Sequence, residues 1–302
     1  SKAPPPPDRA ESMSRTTVGA PQPSASQRIV RGTWTTGRVL VMFGVAAAIV
    51  IPLAYAAIGG LRDTGEIRNR PVALPSDWFP HKYIEILSGE TYWRELFNSI
   101  VVASITTLVV VGLAAMAAFA FARLSFPGRE KLYTLFVLGL LFPVAIAILP
   151  LFVLIRQLGL FDSPLGVALP QAAFGLPLTI VILRPFFKAI PIELEDAARI
   201  DGCSAFGFFW RVILPLSRPA LATVAVLAIV GSWNAFLLPL VVFSSADQWT
   251  LPLGVMNFST QYTSDTARVL AFTTLSMIPA LVFYVIAERQ IVGGLTAGAV
   301  KG

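Results

Sequence analysis

The chain has 302 residues, of which 55% are hydrophobic and only 13% are charged, whereas soluble domains contain about 45–50% apolar and about 25% charged residues. This composition excludes an ordinary water-soluble domain. The formal net charge of +6 would by itself allow a nucleic-acid partner. The single cysteine and the single histidine exclude an internal disulfide and a paired-histidine metal motif, so the sequence predicts no metal site.

Residues 1–37 form a segment with few groups to bury. The run Pro4–Pro7 is followed by further prolines, serines and threonines, and large apolar side chains are few. Such a composition is typical of a disordered chain. We therefore expect residues 1–37 to be a disordered cytoplasmic tail and residues 38–302 to be the folded domain.

Six stretches after the tail are apolar over nearly their whole length and contain no Asp, Glu, Lys or Arg. They are Val39–Ile58, Phe97–Ala122, Leu132–Ile155, Leu165–Leu183, Leu221–Phe243 and Val269–Ala287. A helix of about 20 such residues crosses a bilayer. Barrel strands would alternate polar and apolar residues, but residues 108–122 are apolar or glycine throughout. The sequence therefore predicts an all-α integral membrane protein with six transmembrane helices.

Two further features concern the topology of these helices. Ala54-Tyr55-Ala56 is also typical of a signal-peptide cleavage site, but we expect the first stretch to remain as a membrane helix. If the N-terminus is cytoplasmic, 16 of the 23 Lys and Arg residues lie in cytoplasmic segments and 7 lie outside. The positive-inside rule then places both termini in the cytoplasm. Because this asymmetry accounts for the net charge, we expect no nucleic-acid partner.

The cytoplasmic segment between the fourth and fifth stretches, Lys188–Pro219, is long and patterned. Pro191 suits the start of a helix, and the acidic residues after it favour the positive end of the helix dipole. Gly202 suits the left-handed residue that follows a last helical turn. These features predict a short helix over Ile192–Asp201. One side of it would carry a small-residue face that can enter a groove on a partner, formed by Leu194, Ala197, Ala198 and Asp201.

The same segment resembles the EAA motif of membrane subunits of binding-protein-dependent ABC importers. The matching residues are Asp196-Ala197-Ala198, Asp201-Gly202 and, after nine more residues, Val212, Leu214 and Pro215. Three further sequence segments resemble segments of the second permease of maltose-type carbohydrate importers: LFNSI (96–100), SWNAFLLPL (232–240) and GLTAGAVKG (294–302). The resemblance covers residues 40–302. Asp196 replaces the usual Glu and Val212 the usual Ile, which leaves open whether Glu195 or Asp196 faces the partner.

The resemblance implies a multi-pass type I ABC importer permease in the bacterial cytoplasmic membrane. It implies a second permease subunit, two copies of an ATPase, and an extracytoplasmic solute-binding protein or lipoprotein. Loop 188–219 would be the ATPase-coupling loop, through Glu195, Asp196, Ala197, Ala198, Arg199, Asp201, Gly202, Leu214 and Pro215. We expect no cofactor and no catalytic residue on this chain, because it has no G-x-x-x-x-G-K-[ST] loop. ATP and Mg would bind the separate ATPase.

Polar side chains within apolar stretches are candidates for the solute pathway. Trp233 and Asn234 are the first candidates, because an indole stacks on a sugar face and an amide matches a hydroxyl group. Thr273 and Thr274 are weaker candidates, as are Thr106, Thr107 and Ser276, because hydroxyls readily bond their own helix. We expect Arg184, at the end of the fourth stretch, to extend into water.

The nature of the solute is open at this stage. Within the importer family it could be maltose, trehalose, another oligosaccharide or glycerol phosphate, and we favour a neutral sugar because no Lys or Arg lies within the six stretches. The alternative function is a secondary, ion-coupled transporter. That class would be expected to carry an intramembrane carboxylate.

Overall fold

The computed structural model describes residues 25–259 and 264–299, and side chains are described for residues 37–259 and 264–287. The first 24 residues of the predicted tail lie outside this part of the chain. Residues 25–37 belong to the first helix, so the helical chain begins earlier than the apolar stretch does. Contacts divide the chain into two compact units, Ser1–Leu53 and Ala54–Gly302.

The described residues are mostly helical, and β pairing among them is limited to an isolated bridge between Ser259 and Ser264; this confirms the all-α prediction. The first helices are α1 (Ala25–Gly59), α2 (Thr64–Asn69), α3 (His81–Ser88), α4 (Glu90–Arg123), α5 (Arg129–Gly139), α6 (Val144–Gln157) and α7 (Pro164–Ala189). They are followed by α8 (Ile192–Ile200), α9 (Ala205–Phe208), α10 (Leu214–Leu216), α11 (Arg218–Trp233), α12 (Leu237–Val242), α13 (Leu251–Gly254) and α14 (Thr266–Ala299). A π-helical turn, Phe209–Ile213, joins α9 to α10.

Four of the described helices contain a segment long and apolar enough to cross a membrane, and two bent pairs bring the number to six if each pair is one span. The four segments are Gly37–Gly59, Glu90–Arg123, Pro164–Ala189 and Thr266–Ala287. The bent pairs are Arg129–Gly139 with Val144–Gln157, and Ala205–Leu216 with Arg218–Trp233.

Two of the six predicted stretches form bent or interrupted helices. The third, Leu132–Ile155, turns by 99° between α5 and α6. Pro143 follows the end of α5, and its ring would clash with the carbonyl of Gly139 if the helix continued. The fifth, Leu221–Phe243, stops at Trp233 and resumes as α12. Pro239 would meet the carbonyl of Ala235 in the same way.

The core of the second unit lies where α4, α7 and α11 meet. Ala114 and Ala118 of α4 are completely buried there, at the spacing of one helix face. Such small side chains allow close approach in membrane proteins, where packing rather than water exclusion drives helix association. Phe208 and Phe209, which follow α8 in the chain, are buried against this face of α4.

The loops of this unit form two groups. At the end that we name the α3 end, Arg94 contacts Asp247, and Arg268 contacts Glu85. At the other end, which we name the α8 end, the last turn of α4 contacts the last turn of α7 and the short helix α8. The candidate coupling segment lies at the α8 end.

Candidate functional site

Helix α8 forms where the sequence predicts it, and its last turn has a specific cap. Pro191 is the residue before the first helical turn, and Gly202 takes a left-handed backbone with φ of +75°. The N–H of Cys203 donates to the carbonyl of Ala198 over 2.8 Å, and the N–H of Gly202 donates to that of Arg199 over 3.0 Å. This pair of bonds is a Schellman motif, which fixes where the helix ends.

The two neighbouring carboxylates of α8 have different surroundings. Glu195 is buried, whereas Asp196 is exposed. Glu195 accepts a hydrogen bond of 2.6 Å from Arg199, one turn later on the same helix. Its other oxygen lies 3.6 Å from Arg123 of α4. The structure therefore distinguishes the carboxylates that the sequence could not: Glu195 faces the protein interior and Asp196 faces outward.

Arg123 connects three helices at the α8 end. Its guanidinium donates hydrogen bonds of 3.0 and 2.7 Å to the carbonyl of Phe187 in the last turn of α7, and another to the carbonyl of Ile190. Its side chain is only 6% exposed. Sequence reasoning missed this role, because the sequence around an Arg that follows an apolar stretch does not show whether its side chain is solvated or buried in protein.

A second buried arginine lies beside the first. Arg184 of α7 pairs with Glu130 at the start of α5 and donates to the carbonyl of Phe121 over 3.2 Å. Its guanidinium lies 3.8 Å from the ring centroid of Tyr133, within the range of a cation–π interaction. The expectation that Arg184 extends into water is therefore wrong. Carboxylate, carbonyl and ring already satisfy its charge.

The opposite face of α8 is exposed and partly apolar. Ile200 is 86% exposed, and Phe206 and Trp210 after it are also more than half exposed. Ala197 is exposed as well, whereas Ala198 packs against the core of the second unit. The small-residue face predicted from the sequence is therefore not one surface: Ala197 lies outside and Ala198 lies against the core. Phe206 and Trp210 contact each other, with ring centroids 6.0 Å apart, and such exposed apolar side chains face either a protein partner or lipid.

The segment after α8 returns to the bundle through buried aromatic residues and a sharp corner. The chain turns by 79° between residues 205–216 and 218–233. Leu214 and Pro215 lie in the short helix just before this corner. Ser217, at the corner, is buried and donates its N–H to the carbonyl of Ile213. The candidate coupling segment is therefore attached to the helical bundle at both ends.

The predicted pathway residues lie together in part. Trp233, Asn234 and Thr273 line a cavity of about 490 Å³ between α11, α13 and α14. The side chain of Asn234 donates to the carbonyl of Val230, one turn earlier in the chain. The hydroxyl of Thr273 likewise donates to the carbonyl of Val269. Thr274 also bonds its own helix, to the carbonyl of Leu270, and it does not line this cavity.

A larger cavity of about 590 Å³ lies among α4, α7 and α11, and its polar wall was only partly anticipated. Ser232 donates to the side-chain oxygen of Gln171 over 2.6 Å, and Thr106 donates to the same oxygen over 3.1 Å. Sequence reasoning named Thr106 and missed both Gln171 and Ser232. The available signal was an amide within an otherwise apolar stretch.

No group of three or more His, Cys, Asp or Glu side chains that could hold a metal ion occurs in the described ranges 25–259 and 264–299.

Comparison with known proteins identifies the family. The family described as "Binding-protein-dependent transport system inner membrane component" matches residues 111–291, which is more than half of the chain. The chain belongs to this family. It is a multi-pass inner membrane permease component and not an enzyme, and the EAA motif found in the sequence is typical of such permeases.

Relatives and solved structures agree with this assignment. The chain is 38% identical to the trehalose transport system permease SugB of Mycobacterium tuberculosis, over 85% of this chain and 94% of the relative. It is 32% identical to the diacetylchitobiose uptake permease NgcG of Streptomyces coelicolor, over 87% of each. A bacterial ABC transporter that imports alginate has a similar fold, with a TM-score of 0.75, 21% identity, and coverage of 89% of this chain and 99% of that one.

Proposed function

We propose that this permease is one transmembrane half of an ATP-driven importer of a neutral di- or oligosaccharide, coupled to its ATPase through α8. The observation that carries the proposal is the two-sided structure of α8. Its inner face is tied to the ends of α4 and α7 through Glu195 and Arg123. Its outer face presents Asp196 and Ile200 to a partner.

This arrangement supports a simple mechanical coupling. When ATP binding closes the ATPase dimer, the partner displaces α8. Because α8 is short, capped at Gly202 and fixed to α4 and α7, it moves with them as one body. The corner near Ser217 directs the same displacement into α11. The helices that border the cavities then rearrange between inward-open and outward-open states.

The assembly follows from the family. A second permease subunit would complete the pore, two copies of an ATPase would carry ATP and Mg, and an extracytoplasmic solute-binding protein or lipoprotein would deliver the sugar. In this assignment the α8 end and both termini face the cytoplasm, and the α3 end faces outward. The positive-inside count supports this orientation.

A neutral sugar is supported by the relatives and by charge. Trehalose and diacetylchitobiose, named for two relatives, are neutral disaccharides. No charged side chain lines the larger cavity among the described residues. A glycerol phosphate pathway would call for a cationic group there, since a buried anion needs a partner.

The test is the ATPase activity of the complex that co-purifies with the tagged chain, measured with and without the loaded binding protein. We expect hydrolysis to rise when trehalose or diacetylchitobiose is delivered. Ile200→Ser should weaken ATPase association by about tenfold, as loss of an interface anchor does. Val72→Ser, at a 95% exposed site of the α3 end, is the matched control and should leave association unchanged. Absence of any ATPase from the purified complex would overturn the proposal.

A further inference from the structure

The cavity among α4, α7 and α11 has the properties of a solute site. Its volume of about 590 Å³ lies in the range of small-molecule pockets, which are mostly apolar with a few convergent polar groups. Thr179 and Asn234 line it but donate to carbonyls of their own helices. Three further polar groups converge on one another: Thr106 from α4, Gln171 from α7 and Ser232 from α11. All three are uncharged, so the wall suits a solute that offers hydroxyl groups rather than charge.

The hydrogen bonding of this wall is incomplete. Thr106 and Ser232 both donate to the side-chain oxygen of Gln171. The amide nitrogen of Gln171 is buried and has no hydrogen-bond partner among the residues that the structure describes. Buried polar groups in proteins are nearly always paired. This nitrogen is closed off in the present conformation, so it becomes a donor for an arriving hydroxyl oxygen when the helices that border the cavity rearrange.

Two other features of the cavity point to the same kind of solute. Phe174 lines it, and its ring is stacked on Phe142 with an interplanar angle of 15°, so an aromatic face of fixed direction borders the space. The interruption of the helix at residues 234–236 also lines the cavity. Non-helical backbone at membrane depth is tolerated where it is buried in protein or borders a water-filled space.

We infer that Gln171, oriented by Thr106 and Ser232, is a binding residue for the hydroxyl groups of the neutral sugar that crosses this membrane. The inference rests on the proposed function and adds a binding site to it. When the helices move apart during transport, the amide nitrogen of Gln171 donates to a sugar hydroxyl, and the hydroxyls of Thr106 and Ser232 hold the amide in place. The apolar walls and the face of Phe174 contact the sugar ring.

The experiment uses the complete importer in proteoliposomes, with saturating binding protein loaded with trehalose or diacetylchitobiose. Sugar uptake and ATP hydrolysis are measured in the same preparation, and their ratio is the readout. Gln171→Met keeps the length of the side chain but removes the amide. We expect uptake per ATP hydrolysed to fall about tenfold, the effect of one lost hydrogen bond. Ser232→Ala should cause a smaller decrease.

Thr179→Val is the matched control. This buried hydroxyl is on the same helix as Gln171 and borders the same cavity, but it already donates to the carbonyl of Gly175. In this variant the ratio of sugar uptake to ATP hydrolysis should stay within about twofold of the parent value. The lost hydrogen bond is to a carbonyl of the same helix, so Thr106, Gln171 and Ser232 keep their positions.

The outcomes separate the inference from the proposed function. If the parent complex hydrolyses ATP and imports sugar, and Gln171→Met has the same ratio of uptake to hydrolysis as the parent, the role of Gln171 in binding is refuted. The proposed importer function then still holds. If Gln171→Met lowers assembly, uptake and hydrolysis together, Gln171 only holds helices together, and the inference is again refuted. If the parent complex imports neither sugar, the proposed substrate itself fails.

Discussion

The two ends of the second unit use charge in different ways. At the α8 end, Arg123 and Glu195 are 6% and 9% exposed. At the α3 end, Arg94 and Asp247 form a pair that is 40% and 70% exposed. Exposed pairs contribute little to stability, whereas breaking a buried pair costs far more. Arg62 at the α3 end is also buried, but its partners are carbonyls of the nearby residues 66–71. The ion pairs between distant elements, Arg94–Asp247 and Arg268–Glu85, are exposed, which indicates that the α8 end is the more rigid of the two and that the α3 end opens at lower cost.

The largest expected loss of stability therefore comes from breaking the buried contact between Arg123 and Glu195. Arg123→Ala removes the charge beside Glu195 and the donors to the carbonyls of Phe187 and Ile190. We expect a loss of about 3–5 kcal/mol, and sugar-stimulated ATP hydrolysis should disappear. Arg94→Ala, the control at the α3 end, should cost about 0–1 kcal/mol. Thermal unfolding of the purified complex measures the first effect, and the stimulated ATPase rate measures the second.

A second variant keeps this prediction testable if Arg123→Ala fails to assemble. Glu195→Gln keeps the size of the side chain and removes its charge, so the contact with Arg123 weakens without a cavity. Equal losses of stability in Arg123→Ala and Arg94→Ala would show that the α8 end is no more rigid than the α3 end.

An intermediate effect is expected from a pair of glycines with matched backbones. Gly202 ends α8 at φ +75°, and Gly159 lies at φ +69° between α6 and α7. A Cβ atom at either position would meet no other group within 4 Å. Alanine at each therefore brings only the cost of a left-handed backbone, about 1–2 kcal/mol.

The two glycine variants should differ in function although they match in stability. Gly202→Ala disturbs the cap of α8, the helix that we propose contacts the ATPase, so sugar-stimulated hydrolysis should fall. Gly159→Ala should retain the parent rate. The measurements are unfolding and stimulated ATPase activity of both complexes side by side. A parent-like rate in Gly202→Ala would show that the cap plays no part in coupling.

Much of the fold and of the coupling segment could be predicted from the sequence. Long apolar stretches predict membrane helices, and Pro191 and Gly202 predicted the limits of α8 to within one residue. These signals are local: they depend on the identity of a residue and on its neighbours in the chain. Pro143 and Pro239 indicate bent helices, but the extent of the bend between α5 and α6 and of the break after Trp233 could not be predicted, because hydropathy does not report the direction of the backbone.

Proline shows why that direction could not be predicted. Pro170 and Pro177 lie inside a helix that continues through both, whereas Pro143 and Pro239 coincide with breaks. Residue type is the same in all four cases, so the packing of neighbouring helices decides the outcome. The same limit applies to Arg123 and Glu195, because their partners are brought together only by folding.

The smallest expected effect is at the α3 end, where Asp265 joins α14 to α2. Burial of Asp265 opposes its ionised form, but the hydrogen bond from Thr64, the backbone N–H of Arg268 and the charges of Arg268 and Lys82 outweigh it and lower the pKa of Asp265. Thr64 donates to the carboxylate over 2.7 Å. A lowered pKa means that the ionised group stabilises the fold above its unfolded value of about 3.9, and that this contribution is lost as the pH falls through the lower, folded value.

Thr64→Val should raise the pKa of Asp265, so the junction should loosen at a higher pH than in the parent. Amide hydrogen exchange at residues 264–269, followed as the pH is lowered from about 7 to about 3, measures this after correction for the intrinsic exchange rate. Thr134→Val is the control, because its hydroxyl bonds only the carbonyl of Glu130 in an exposed helix. Because the junction is partly exposed, the shift should leave sugar uptake at neutral pH unchanged. An unchanged pH midpoint in Thr64→Val would mean that the α3 end does not depend on this carboxylate, and its low cost of opening would then have to come from the exposed pairs alone.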